Sequence, residues 1–143
     1  MSVQDCIFCK IIAGQIPCTK IYENDFVLAF MDVGPVSEGH VLVVFKEHTC
    51  SVDQTDPLAM AEIAKVLPKL AGSVKNAMGA DGYNVLCNNG ASAGQVVEHM
   101  HFHIIPRKEN DGVFNQWPSF QYPEGKAKEI AAKIREKISL SEV

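Results

Sequence analysis

Apolar and polar positions along this chain fall into short runs that are separated by turn residues. Runs that alternate or are rich in β-branched residues predict five strands, over residues 21–22, 26–31, 40–45, 82–87 and 99–105. The run at 40–45 is apolar almost throughout, which is typical of a buried central strand.

Helical spacing marks three other segments. Residues 56–78 carry apolar side chains every three or four positions, with Asp56 as a capping residue and Gly79 at the end, and so predict one long helix. Shorter helices are predicted over residues 6–13 and 126–140. Strands and helices in this irregular order, with short connections, indicate an α+β fold rather than a parallel doubly wound sheet.

Length and composition indicate one domain. A chain of 143 residues with 47% hydrophobic residues can bury one core, which we place at about residues 5–107, and residues 108–143 then form a C-terminal tail and helix. The net charge of −4 argues against binding a nucleic acid polymer. Five cysteines without framework-like spacing, and an N-terminus without leader or spanning features, predict a cytoplasmic protein that binds no membrane.

Three histidines alternate with apolar residues in the last predicted strand. The two-residue period of a strand places His99, His101 and His103 on one face and the apolar residues between them on the other. Neutral imidazoles that protonate readily suit nucleophilic and general acid chemistry. The alternatives are buried structural histidines or a metal site, although His99 and His103 would lie roughly 13 Å apart on a strand, too far to share an ion.

Two further motifs accompany the histidines. Residues 88–96 form a loop with glycines at both ends, whose backbone N–H groups can hold an anion such as phosphate. Cys6 and Cys9 form a Cys-x-x-Cys pair that fits two ligands of a tetrahedral zinc, with His48 and one histidine of the strand as possible third and fourth ligands. Two packed cysteines without a metal are the alternative.

These motifs together resemble the histidine-triad family. Its signature matches the His-x-His-x-His strand, the approach of Gly94 and Gln95 to it and the Pro106 that follows, and the Cys-x-x-Cys pair places the chain near the Hint-like bacterial members. The resemblance covers about residues 5–107. It implies a five-stranded antiparallel sheet per subunit, with one long and one or two short helices. It also implies a homodimer that joins two such sheets through the long helix and a sheet edge.

The resemblance also implies a function. Family members hydrolyse purine nucleotides whose α-phosphate carries a leaving group, such as AMP or GMP phosphoramidates, acyl-nucleotides or diadenosine polyphosphates. His101 matches the nucleophile, which forms a transient nucleotidyl-histidine that water then hydrolyses. His103 and His40 match imidazoles on the phosphate side. No catalytic metal is required.

The remaining site residues follow from the same resemblance. The α-phosphate positions are Asn88, Gln95 and the N–H of Val96, and Asp32 matches the ribose contact. The side chains expected around the base are Phe8, Ile11, Ile16, Phe30 and Val33. The ligands of a structural zinc are Cys6, Cys9, His48 and His99.

Val96 departs from the family pattern, because many Hint-like members have a serine or threonine hydroxyl there. The missing donor removes on the order of 1–3 kcal/mol of transition-state binding, which shifts substrate preference. Two rival functions follow from the residues: a hydrolase whose catalytic zinc is held by His99 and His101, and a nucleotide-sensing or scaffold dimer with weak catalysis. The aromatic tail around Trp117 either selects leaving groups or seals the core.

Overall fold

The structure is a computed structural model that describes residues 2–114 and 118–141. The role predicted for Trp117 lies outside these residues. Within these described residues, three α-helices and five strands follow one another. In order they are α1 (Ile7–Ile12), β1 (Lys20–Glu23), β2 (Val27–Met31), β3 (Val41–Phe45), α2 (Pro57–Ala77), β4 (Gly82–Leu86), β5 (His101–Arg107) and α3 (Lys126–Ser141).

The five strands form one antiparallel sheet in the order β1-β2-β3-β5-β4. The α+β fold with a five-stranded antiparallel sheet is therefore confirmed. β3 lies at the centre and is buried over its whole length, as its apolar run predicts. It pairs with β5 so that Leu42 lies opposite His103 and Val44 opposite His101. This register sets the two histidines beside the most deeply buried strand.

The two faces of the sheet pack against different helices. On one face, α2 contributes Ile63, Leu70 and Val74 to a core that also contains Met100 and Ile104. On the other face, Phe8 of α1 packs into a second core. Its remaining buried members are Cys6, Leu28, Phe30, Leu42 and Val44. Because side chains alternate along a strand, the odd-numbered positions of β3 face α2 and the even-numbered positions face α1.

The α2 helix begins and ends as its sequence predicts. The Asp56 side chain accepts a hydrogen bond from the Leu58 N–H at 2.7 Å, and Pro57 occupies the first turn, where a missing N–H loses no bond. The helix ends at Ala77, and Gly79 follows with a φ of +55°. Because the helix is 21 residues long, its apolar side contacts β3, β4 and β5.

The last strand differs from its prediction at both ends. The strand begins at His101, because the His99 N–H bonds to the Val97 carbonyl in a turn and the Met100 N–H bonds to the Thr49 carbonyl. It then continues through Pro106. Pro106 is paired with Tyr83 of β4 on one side, while the pairing of β5 with β3 on the other side ends at Ile104. A residue without an N–H is tolerated where the strand has a neighbour on one side only.

Contacts divide the chain into two compact units, Met1–Val113 and Phe114–Val143. The first unit contains the whole sheet with α1 and α2, and the second contains α3. The prediction of one domain over residues 1–143 stays a prediction. Among the described residues, no helix combines the length and apolar character needed to span a bilayer.

Removing buried volume from α2 is expected to destabilise the fold. Ile63 is completely buried in the core between α2 and the sheet, so Ile63→Ala should lower the free energy of unfolding by about 2–5 kcal/mol. Asn76→Ala, at an exposed position of the same helix, should change it by less than about 1 kcal/mol. Urea unfolding of both variants measures the difference, and equal effects would show that Ile63 does not anchor this core.

Candidate active site

A cavity of about 470 Å³ opens on the face of the sheet that packs against α1. All five side chains predicted to surround a base line it: Phe8, Ile11, Ile16, Phe30 and Val33. Asp32, Val96, His101 and His103 also contribute to its wall. The structure thus brings together one apolar half and one half that carries imidazoles and a carboxylate.

The apolar half is built by α1 and β2. Phe8 projects from α1 onto the sheet and meets Phe30 of β2 edge to face, with ring centroids 5.6 Å apart. The same Phe8 ring meets His101 at 5.0 Å. Phe8 therefore links the apolar region to the imidazoles and reduces the access of water to His101, which is only 5% exposed.

His101 is held in one tautomer by its own strand. Its Nδ1–H donates a hydrogen bond of 2.6 Å to the carbonyl of His99, so the lone pair of the neutral ring lies on Nε2. Burial lowers the pKa of His101, which keeps the ring neutral at pH 7, although the bond to His99 and the nearby Asp32 act in the opposite direction. A buried, neutral imidazole with one free nitrogen is a competent nucleophile.

A second pair of histidines lies beside His101. The Val36 N–H donates to Nδ1 of His40 at 3.2 Å, so Nε2 of a neutral His40 carries its proton. That Nε2–H donates to Nδ1 of His103 at 2.9 Å, which places the proton of a neutral His103 on Nε2. Nε2 of His103 is therefore a hydrogen-bond donor, whereas Nε2 of His101 is an acceptor. The centroids of the two rings are 4.9 Å apart.

Both rings of this pair are held in the neutral form. Burial, reinforced by the charges of His101 and His40, lowers the pKa of His103 to about 4, and burial also lowers the pKa of His40. Asp32 partly opposes both shifts, since its carboxylate lies 3.5 Å from Nε2 of His40. The other oxygen of Asp32 accepts the Gly34 N–H at 2.8 Å, which fixes the carboxylate at the cavity wall.

The predicted phosphate loop is present, but its side chains do not all face the cavity. The side-chain oxygen Oε1 of Gln95 accepts the Gly90 N–H at 2.7 Å. The side-chain amide nitrogen Nε2 donates to the backbone carbonyls of Cys50 and Val97. Gln95 therefore braces the loop in this structure. Neither Gln95 nor Asn88 lines the cavity, whereas Val96 does and is 88% exposed. The phosphate contacts of the two amides stay predictions.

Cys6, Cys9, His48 and His99 form a cluster that can hold a metal ion. Nδ1 of His99 lies 3.5 Å from both sulfurs, and Nδ1 of His48 lies 3.3 Å from Sγ of Cys9. Tetrahedral zinc with ordinary bond lengths separates its nitrogen and sulfur ligands by about 3.5 Å. The Nε2–H of His99 donates to the Phe45 carbonyl at 2.7 Å, which leaves Nδ1 free to bind a metal.

The thiol of Cys9 is protonated at neutral pH as long as no cation faces it. Burial, together with the neighbouring Cys6, raises the pKa of Cys9 to about 11. Binding a metal would therefore release a proton from Cys9 at neutral pH. The four residues fit a zinc ion in ligand type, separation and tautomer.

A second group, Asp32, His40 and His103, also brings possible ligand atoms together. Here the tautomers oppose a metal, because His40 presents an N–H rather than a lone pair towards the other two residues. His101 belongs to neither group among the described residues. The rival in which His99 and His101 share a catalytic zinc has no geometric support, since Nδ1 of His99 lies beside the cysteines and Nδ1 of His101 bonds to a carbonyl.

Several lining residues were not predicted from the sequence. They are Ile7, Pro17, Cys18, Met31, Leu42, Gly94 and Val97. Leu42 was accessible to sequence reasoning, because it is two residues from His40 on a strand and so lies on the same face. Met31 is the last residue of β2, and the others lie in α1 or in connecting loops, whose packing no local periodicity records.

Comparison with known proteins agrees with this geometry. A family model described as the HIT domain matches residues 13–110, and the chain belongs to the HIT family. The adenosine 5′-monophosphoramidase of Schizosaccharomyces pombe is 42% identical over 134 residues, which cover 93% of this chain and 98% of that protein. An adenylylsulfatase of Arabidopsis thaliana is 47% identical over 107 residues, which cover 75% of this chain but only 54% of the relative.

Solved structures show the same fold. A crystal structure of a protein from Streptococcus mutans has a TM-score of 0.90 at 38% identity and matches 96% of this chain and 87% of its own. A zinc-bound histidine triad family protein from Mycobacterium smegmatis has a TM-score of 0.73 at 33% identity, with 89% of this chain and 88% of its own covered.

The buried histidines should make stability depend on pH. Because the pKa of His103 falls from its ordinary 6.5 to about 4 on folding, the unfolded chain binds more protons between these values. Stability should be complete above about pH 6.5 and decrease as the pH falls towards 4.

The variant His103→Gln should lose less stability than the wild type over the same interval. Urea midpoints measured at several pH values between 4 and 7.5 give the comparison, and the difference between the two proteins removes the contribution of the carboxylates. Parallel curves for the two proteins would contradict the assigned shift.

Proposed function

We propose that this protein is a nucleotide hydrolase that cleaves the bond between a nucleoside α-phosphate and its leaving group through a covalent nucleotidyl-His101. The observation that carries the proposal is the 2.6 Å bond from Nδ1–H of His101 to the His99 carbonyl, which leaves Nε2 as the nucleophile. The cavity that His101 lines has an apolar half suited to a purine and a carboxylate, Asp32, suited to ribose hydroxyls.

The substrate class is that of purine nucleotides with an activated α-phosphate. Two relatives are named an adenosine 5′-monophosphoramidase and an adenylylsulfatase, and both names describe an adenylyl group joined to a leaving group. We place AMP and GMP phosphoramidates first, with acyl-nucleotides and diadenosine polyphosphates as further substrates. No catalytic metal is required, because donors and imidazoles surround the reacting phosphorus.

The reaction has two steps. First, the Nε2 lone pair of His101 forms a bond to the α-phosphorus while the bond to the leaving group breaks, and the leaving group departs with a proton taken from solvent. The Nε2–H of His103 and the backbone N–H of Val96 donate to the phosphoryl oxygens and stabilise their negative charge. Water then attacks the phosphorus and releases a proton to solvent, while the N–P bond breaks and its electron pair returns to Nε2.

His40 acts on this reaction through His103. The Nε2–H of His40 donates to Nδ1 of His103, and the Asp32 carboxylate lies 3.5 Å from the same Nε2. This bond keeps the proton of the His103 ring on its Nε2. Val96 supplies no hydroxyl to the phosphate or leaving group. We therefore expect the preference among leaving groups to differ from that of relatives with serine or threonine at this position.

Zinc in the cluster of Cys6, Cys9, His48 and His99 would be structural. It would supply four metal–ligand bonds that join the N-terminal segment of α1 to the turn before β5. His99 carries the carbonyl that orients His101, so the same residue belongs to the metal cluster and to the support of the nucleophile. The protein itself would act as a cytoplasmic homodimer, paired through α2 and the free edge of β4.

Removing the nucleophile should abolish turnover. His101→Ala is expected to lower kcat for adenosine phosphoramidate by at least about 10⁴-fold, because the variant has no atom that can form the intermediate. Binding of AMP, measured by calorimetry, should weaken much less. Rapid quenching with radiolabelled substrate should trap nucleotide on the wild-type protein only. Turnover that survives in the variant would reject the covalent role, and a wild type that binds AMP without turnover would favour a sensing protein.

Removing the metal should lower the thermal stability of the protein more than it lowers the rate of turnover. Elemental analysis of the purified wild type should find about one zinc per chain, and Cys9→Ser should retain far less. Chelation should lower Tm by several degrees, while the rate at low temperature stays largely unchanged. Cys18→Ser, a thiol outside the cluster, is the matched control and should keep its zinc. Immediate loss of turnover in a chelated but folded protein would instead indicate a catalytic metal.

A further inference from the structure

The α3 helix carries an apolar stripe bordered by basic residues. Its sequence places Ile130, Ile134 and Ile138 within an arc of roughly 80° around the helix axis. Ile134 and Ile138 are 56% and 52% exposed. Three isoleucines aligned on one face, with more than half of two of them accessible, form a surface that a partner can bury.

Charge on α3 is arranged around this stripe. The helix contains five basic and two acidic residues. The 100° spacing puts Lys133 and Lys137 along one border of the stripe, while Lys128 and Arg135 lie roughly 60–80° beyond its other border. Glu129, on the opposite side, pairs with Lys126 at 2.9 Å and with Lys133 at 2.8 Å. The face that contains the isoleucines is therefore positive and fits an acidic partner.

The first unit of the same chain has the complementary character. Residues 1–113 contain thirteen acidic and eight basic residues. The segment 52–58, which we call the acidic shoulder, joins the turn before α2 to its first residues. It carries Asp53 and Asp56 but no basic residue, and it exposes Leu58 by 79% and Val52 by 37%. The acidic shoulder therefore combines exposed apolar side chains with negative charge, whereas α3 combines exposed isoleucines with positive charge.

We infer that the stripe of α3 docks on the acidic shoulder of a second copy of this chain. The inference rests on the homodimer proposed above and names a further contact in it. In a two-fold dimer this contact occurs twice, once for each α3. Packing of α3 against α3 of the partner is disfavoured because both helices are positive. A membrane is a poorer fit, since interfacial helices usually present tryptophan, phenylalanine or leucine over a wide apolar face.

Analytical ultracentrifugation of the full chain tests the contact. The wild type should sediment as a dimer, and Ile134→Glu should weaken the dimer at least about a hundredfold, because two symmetric contacts each lose a buried isoleucine. Ala132→Glu adds the same charge on the polar side of α3 and is the matched control, with the wild-type dissociation constant expected. Circular dichroism checks that α3 stays helical in both variants.

Charge exchange tests the partner surface. Lys137→Glu and Asp53→Lys should each weaken the dimer, and the two substitutions combined should restore much of its strength. A dimer that is as tight in Ile134→Glu as in the wild type would overturn the α3 contact while leaving the α2 and β4 interface intact. A monomeric wild type, or sedimentation of the wild type but not Ile134→Glu with equimolar phosphatidylcholine–phosphatidylserine vesicles, would also overturn it. Hydrolysis of adenosine phosphoramidate is measured separately, so failure here is distinct from failure of the proposed function.

Discussion

The hydrogen bond from Nδ1–H of His101 to the carbonyl of His99 is the interaction on which the proposed active site depends. It joins two neighbouring histidines of one segment and needs no distant partner to set the tautomer of the ring. Burial lowers the pKa of that ring, so one nitrogen is unprotonated at neutral pH and available for the proposed attack on phosphorus. An imidazole with its proton on Nε2 in the same place would be a donor and could not attack phosphorus.

The remainder of the structure holds this bond in position. β5 lies between β3 and β4: His101 is paired with Val44 of β3, and β4 pairs with β5 from His103 to Arg107. One face of the sheet is closed by α2, while the other leaves room for α1 and for the cavity. His99 is anchored through its Nε2–H to Phe45 and lies beside the two cysteines on its other nitrogen. Stability of the fold and orientation of the nucleophile are therefore coupled through one residue.

The arrangement of the histidines could be predicted because it follows from local geometry. A two-residue period is sufficient to put His101 and His103 on one face, and the structure shows these rings 4.9 Å apart. The long helix was predictable for the same reason, since its cap and its apolar spacing lie within the sequence of the helix. Membership of the HIT family adds the antiparallel pairing, which local patterns do not determine.

Other features depend on contacts between distant parts of the chain. The tautomer of His103 depends on His40, which is 63 residues away in sequence. Gln95 was predicted to contact phosphate, but its amide bonds to the backbone of Cys50 and Val97. The strand boundary at His101 depends on Met100 bonding to the carbonyl of Thr49. Periodicity within one segment carries no information about such partners.

Nitrogen-15 NMR of the histidine rings at pH 7 tests the central claim most directly. In protein labelled at the imidazole nitrogens, with the His101 signals assigned by their loss in His101→Gln, long-range proton–nitrogen correlations report which ring nitrogen carries the proton. We expect a neutral His101 ring with its proton on Nδ1 and an unprotonated Nε2. A proton on Nε2, in either a neutral ring or an imidazolium, would contradict the account.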